Sequence, residues 1–215
     1  MRNFFIGLLL TIIGIAALML IPSKQAPAPM PWEVKLFQDG SSEVFNIRFN
    51  HSTLADAQQI FHEAGELAIF NDNKSRPALE VFFNSVHLGG LTAKIVLTLA
   101  TSENNLSAML TRATSSELRP SRARQYQLHI DDQKKAQGEV IDTLTYIPSI
   151  RLDEEAIRHR FGNPEIIEHI DFSEDEPSQP ETNIWHYPSI GLSIRLSPKE
   201  KTVLQYQAPA TNNQH

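Results

Sequence analysis

The 215-residue chain contains no cysteine. That absence removes disulfides, thiolate metal sites, a cysteine nucleophile and a lipid anchor acylated on cysteine. It permits an oxidising compartment without requiring one. Also missing are a Gly-x-Ser-x-Gly elbow, a phosphate-binding glycine loop and a dinucleotide fingerprint, so nucleophilic and cofactor-dependent enzymes lose their usual support. Residues 4–21 carry no charge, and no acidic residue precedes position 31. Arg2 and Lys24 are two of the 19 basic residues, so the remainder sets 17 basic against 25 acidic side chains, a net of −8 with His neutral. Nucleic-acid binding is disfavoured by that balance. With 41% hydrophobic and 20% charged residues, the composition is that of an ordinary globular chain whose fold rests on core packing.

The uncharged stretch at 4–21 would span roughly 27 Å as a helix, near the hydrocarbon thickness of a bilayer. It therefore predicts a transmembrane segment over 1–22. The small-x-small cleavage candidate, Ala26-Pro27-Ala28, is followed by Pro29, and proline after the cut is a poor substrate, so an uncleaved signal-anchor is favoured over a cleaved signal. Arg2 and the terminal amine flank one side, Lys24 and Lys35 the other. The short head before the apolar run resembles bacterial inner-membrane anchors. That reading predicts a single-pass inner-membrane protein with its C-terminal domain in the periplasm. Residues 23–31, rich in Pro and Ala, predict an extended linker.

From 32 to 206 the chain reads as one soluble domain, with 207–215 as a disordered tail. Trp32, Val34 and Leu36 alternate with polar residues, Asp39-Gly40 offers a turn, and Phe45, Ile47 and Phe49 resume the alternation, predicting a hairpin. Thr53 and Asp56 form a capping-box signal for a helix over 54–64, with Gly65 to close it. Strands are predicted at 79–83 and 93–99, a short helix at 106–113, and a second hairpin from 124–130 and 139–147. Asp153 caps a helix carrying Glu154 and Glu155 in its first turn and Arg158, His159 and Arg160 in its last, with Gly162 and Pro164 beyond. After an acidic loop at 171–182, three strands are read at 184–187, 192–196 and 202–206.

A self-similarity near one hundred residues recurs: Phe61 and Phe161 end helices, Phe82-Phe83 and Trp185-His186-Tyr187 mark aromatic strands, and Gly90 and Gly191 precede the next strand. The units are 52–99 and 151–206. The fold class predicted is α+β: an N-terminal transmembrane helix followed by an antiparallel sheet with short helices packed on it, arranged as two tandem helix-sheet repeats. In the second unit the helix, Phe161-Gly162-Asn163-Pro164, Trp185-x-Tyr187 and Gly191-Leu192-x-Ile194-x-Leu196 resemble the helix-then-sheet module of small outer-membrane assembly lipoproteins. That module is similar in turn to the β-lactamase-inhibitor-protein repeat. The resemblance covers about 55 residues, fainter over 52–99, and implies a binding or scaffolding module without catalysis. The chain departs from the lipoproteins in lacking their acylated cysteine, so an outer-membrane location and that assembly role do not carry over.

Candidate chemistry is sparse. His62-Glu63 begins a zinc-protease-like pattern but lacks the second histidine. Glu155 with His159, and Glu168, His169 and Asp171, could gather as a metal cluster, against the alternative of helix-dipole complements and solvated charges. Arg112, Arg119, Arg122 and Arg124 form a cationic segment in an otherwise acidic chain, a candidate interaction patch for phosphate headgroups or an acidic partner, or else a solvated loop and strand edge. Trp185 and Tyr187, two apart on a strand, share a face as an aromatic platform or as core. No catalytic residue, metal ligand or cofactor is assigned. The function expected is a membrane-anchored, non-enzymatic module binding another envelope protein. The alternatives are a small-ligand or lipid-binding domain, which would show an apolar pocket between helix and sheet, and a metal-dependent hydrolase.

Overall fold

Alternating apolar residues dominate the sequence from residue 66 onward, and in the computed structural model they build one broad antiparallel sheet. The structure describes residue 14 and residues 29–72, 76–120, 122–170 and 182–210. Three short strands, β1 (Lys35–Leu36), β2 (Ser42–Val44) and β3 (Ile47–Arg48), form a small sheet. The remaining ten are β4 (Glu66–Asn71), β5 (Ala78–Leu88), β6 (Leu91–Leu99), β7 (Ser115–Leu118), β8 (Arg124–Gln127), β9 (Ile141–Pro148), β10 (Ile166–Ile170), β11 (Thr182–Tyr187), β12 (Leu192–Leu196) and β13 (Val203–Gln207). Their order is β10-β11-β12-β13-β9-β6-β5-β4-β8-β7, every pair antiparallel.

Four α-helices are described: α1 (Leu54–Phe61), α2 (Glu103–Thr111), α3 (Ile130–Ala136) and α4 (Glu154–Phe161). Helix α1 starts at the Thr53–Asp56 capping box and ends at Phe61, because His62 turns left-handed there. Its buried Leu54, Ala57 and Phe61 face the sheet, where the Phe61 and Phe83 rings meet edge to face at 5.1 Å. Helix α4 begins at Asp153, whose carboxylate accepts the Ala156 N–H at 2.8 Å, and stops at Gly162. Its acidic first turn and basic last turn complement the helix dipole. Only Ile157 of α4 is buried, so this helix covers the sheet thinly.

The core lies on one face of the sheet. Along β12 and β13, Leu192, Ile194, Leu196, Leu204 and Tyr206 are buried while Arg195 and Gln205 face solvent. The period-two alternation of a sheet covered on one side explains this pattern. The small β1–β3 sheet closes one end: Val44, Phe45, Ile47 and Phe49 are all buried, and Phe45 packs on Tyr146 at 5.2 Å. Phe45 and Asn46 both have positive φ and turn the chain between β2 and β3. The aromatic stretch expected as one strand over 45–49 is therefore a turn followed by a two-residue strand.

The expected transmembrane helix is corrected. Among the described residues no helix is long and apolar enough to cross a membrane. Helices α1–α4 run 7 to 9 residues, far short of the roughly 20 that a bilayer requires. The single-span membrane partner, the single-pass inner-membrane location and the periplasmic placement fall with it. Residues 4–21 themselves lie outside the described residues, Gly14 excepted, as do 23–28 of the expected linker, the acidic segment 171–181 and the last five residues of the tail.

Gly191 is a point of close approach: its φ is +66°, and a Cβ there would lie 2.1 Å from the Gln207 carbonyl oxygen. That carbonyl also accepts the Ser42 hydroxyl at 3.0 Å, tying the small sheet to β13. Gly191→Ala is expected to cost about 3 kcal/mol through the clash and the strained backbone. Urea unfolding monitored by circular dichroism checks it.

Candidate functional site

The thin cover provided by α4 leaves a cavity of about 460 Å³ between that helix and the sheet, within the roughly 300–1,000 Å³ typical of ligand sites. Its sheet wall is Tyr146 of β9 and Leu204 of β13, cross-strand partners in the ladder. Helix α4 contributes Ala156, Ile157, Arg160 and Phe161, the end of β9 and the loop after it contribute Pro148 to Leu152, and the β5–β6 turn with the start of β6 contributes Gly90, Leu91 and Thr92. Small side chains at Ala156 and Gly90 help leave the space open. Ile150, at the margin, is 59% exposed.

Pro31 and Trp32 complete the lining. The Tyr206 hydroxyl donates to the Pro31 carbonyl at 2.7 Å inside the core, and the Arg160 guanidinium stacks 3.7 Å above the Trp32 ring. These two contacts hold the start of the domain beside α4. Burial raises the pKa of the Tyr206 hydroxyl well above that of a free phenol and raises Tyr146 as well, so both stay neutral at physiological pH. The lining contains aliphatic, aromatic and hydroxyl groups and two arginines, with no carboxylate or imidazole. It can hold apolar matter and lacks a side chain suited to act as general base near neutrality.

The four arginines separate into two settings. Arg112, at the end of α2, makes a forked contact with Asp132 at 2.6 and 3.0 Å. The carboxylate is fully buried. Arg119, Arg122 and Arg124 belong to the β7–β8 hairpin: Arg119 lies 3.9 Å from Glu66, Arg122 occupies a left-handed turn position, and Arg124 donates to Ser116 at 3.3 Å. Arg112 is thus structural, and the other three line a sheet edge.

Trp185 and Tyr187 do share a face, but that face is the core. They are 1% and 3% exposed, so the platform reading is corrected. Arg158 covers the Trp185 ring at 4.3 Å, and the Tyr187 hydroxyl donates to Gly162 at 3.1 Å. Of the residues in the suggested metal groupings, His169 bonds Asn183 at 2.8 Å and Glu168 bonds His186 at 3.1 Å, while Asp171 is outside the described residues. Among the described residues no group of three His, Asp or Glu side chains is placed to hold a metal ion.

An apolar pocket between helix and sheet is among the alternatives the sequence leaves open, but its lining residues are not legible there because they come from five separated segments. One signal was present: Ile150 and Leu152 are apolar residues in the turn before the Asp153 cap, where a solvated loop has no use for them. Comparison with family models, curated proteins and solved structures finds no match for the chain.

The Arg112 fork holds the Asp132 carboxyl below the usual carboxylate range. A lowered folded-state pKa gives stability that is present above the unfolded value, about 3.9, and is lost as pH falls through the folded value. Asp132→Asn is therefore expected to lower the urea midpoint clearly at pH 7 and much less at pH 2. Paired unfolding curves at the two pH values check this, and equal losses would show that the ionised pair contributes nothing.

Proposed function

We propose that this protein is a binding module that takes a small, largely apolar ligand into the cavity between α4 and the sheet. The observation that carries the reading is the cavity itself: about 460 Å³ of space beside a buried apolar ladder, where close packing is the rule for protein interiors. The lining supports binding over reaction, since it offers apolar contact and hydrogen bonding without a neutral-pH base. Direct titration tests it. Butylbenzene is expected to bind saturably at one site, to raise the thermal midpoint by mass action, and to perturb the fluorescence of Trp32 at the margin. Ala156→Phe, which fills the space from α4, is expected to weaken binding at least tenfold while the chain remains folded by circular dichroism. Absence of saturable binding to the wild-type protein, or undiminished binding to the filled variant, would end the proposal.

A second reading, recognition of a protein, is favoured by β10. This strand lies at one end of the ten-stranded sheet, with Ile166 and Ile167 55% and 42% exposed. An open edge with apolar side chains can accept an added strand. Stoichiometric capture of a protein by the wild-type chain, abolished by Ile166→Lys with Ile167→Lys, would support it. Equal capture by the variant would remove this edge from consideration.

A further inference from the structure

The large sheet has two ends. β10 forms one and β7 the other, and no strand among the described residues pairs with the outer side of either. All four residues of β7 are exposed, as are four of the five in β10. Six large apolar side chains are exposed among the described residues, and three of them, Leu118, Ile166 and Ile167, belong to these two strands. Each end therefore sets unpaired main-chain donors and acceptors beside apolar side chains, the combination that takes up a further strand.

The two ends differ in charge. Residues 161–194, which supply β10 and β11, hold seven acidic residues and no lysine or arginine. Residues 118–130, which supply the end of β7 and all of β8, hold three arginines and no acidic residue. Glu165 and Glu168 at the β10 end are exposed, as are Arg119, Arg122 and Arg124 at the β7 end. Pairing like ends would set like charges together, whereas pairing β7 with β10 sets opposite charges together. Direction agrees with charge. The ten strands alternate in sense, so a second copy in the same orientation presents its β10 antiparallel to the β7 of the first.

We propose that the partner of the β10 edge is a second copy of this chain, whose β7 edge adds to β10 in antiparallel pairing and extends the sheet from one copy into the next. This rests on the strand-addition reading above and names the partner. Unlike edges meet, so the contact is heterologous: each added copy leaves one edge of each kind free, and assembly runs on or closes into a ring. With four residues in one edge strand and five in the other, the contact is weak and calls for concentrated protein.

Sedimentation velocity of the full-length chain tests it. The average mass is expected to rise above that of one protomer as the protein is concentrated, and to fall when added salt screens the exposed charges. Arg119→Glu with Arg124→Glu disables the β7 edge, and Ile166→Lys with Ile167→Lys disables the β10 edge. Alone, each variant is expected to associate at least tenfold more weakly than the wild type. Mixed in equal amounts they are expected to associate again, because each supplies the edge the other lacks. Leu118→Asp and Glu168→Lys form a second pair, used if either double variant fails to fold by circular dichroism. A wild-type chain that stays monomeric overturns the proposal and leaves capture of a different protein at β10 to its own test. Undiminished association of the β7 variant alone would mean that β10 meets β10, and of the β10 variant alone that β7 meets β7; either result overturns it. So does a mixture that fails to recover, or an association indifferent to salt.

Discussion

The pairing of β13 with β9 holds the large sheet together. Strands β4, β5, β6 and β9 lie on one side of that seam with β7 and β8, while β10 to β12 lie on the other with β13. Four cross-strand pairs, from Leu204↔Tyr146 to Gln207↔Thr143, bridge the two groups. Leu144, Tyr146, Leu204 and Tyr206 bring their side chains to the buried face of this seam. Helices α1 and α4 each precede a run of antiparallel strands, one in each group, but they cover unequally. Helix α1 buries three residues and α4 one. The cavity lies where cover is thinnest and the floor is the seam itself. A change in the β9–β13 register would slide Leu204 away from Tyr146, dismantling cavity and sheet together.

Polar interactions fix the surroundings of that seam without filling it. Asp39 accepts from the Ser41 hydroxyl and backbone N–H and pairs with Arg48, and these contacts bring its carboxyl down to a pKa of about 2. The group is exposed, so its role is to order the β1–β2 turn more than to stabilise the whole. Asp132 is the opposite case, a buried carboxylate whose Arg112 partner remains half exposed. A buried charge with a forked partner specifies where α2 and α3 meet, since displacement would leave the carboxylate unpaired in the interior.

Local signals made the helix starts readable. The Thr53–Asp56 box and the Asp153 cap act within three residues and need no tertiary context, and both helices begin where those residues indicate. The strand at 192–196 and, within one residue, the strand expected at 202–206 and observed at 203–207 were legible from alternation for the same reason. Other elements were hidden. The sequence offers no strand signal for β4 between α1 and β5, and none for β10, whose side chains are nearly all exposed at the sheet's end. Helix α3 occupies the connection of the expected second hairpin, and the strand pattern that ran to Ile130 stops short of it, Ile130 being exposed. The cavity was beyond reach for a different reason: packing that fails to fill a space is a property of several distant segments at once, and no window of sequence contains it.

The bond from Tyr206 to Pro31 joins residues 175 positions apart. During synthesis, β9 is complete long before β13 has been made, so the interval leaves a strand edge bearing Leu144 and Tyr146 without its final neighbour. Contacts of such long sequence separation form late, after the entropy of closing a large loop has been overcome. The nascent chain therefore carries an open β-edge until β13 has emerged. Its vulnerability to aggregation is set by the timing of β13, more than by the stability of the finished fold.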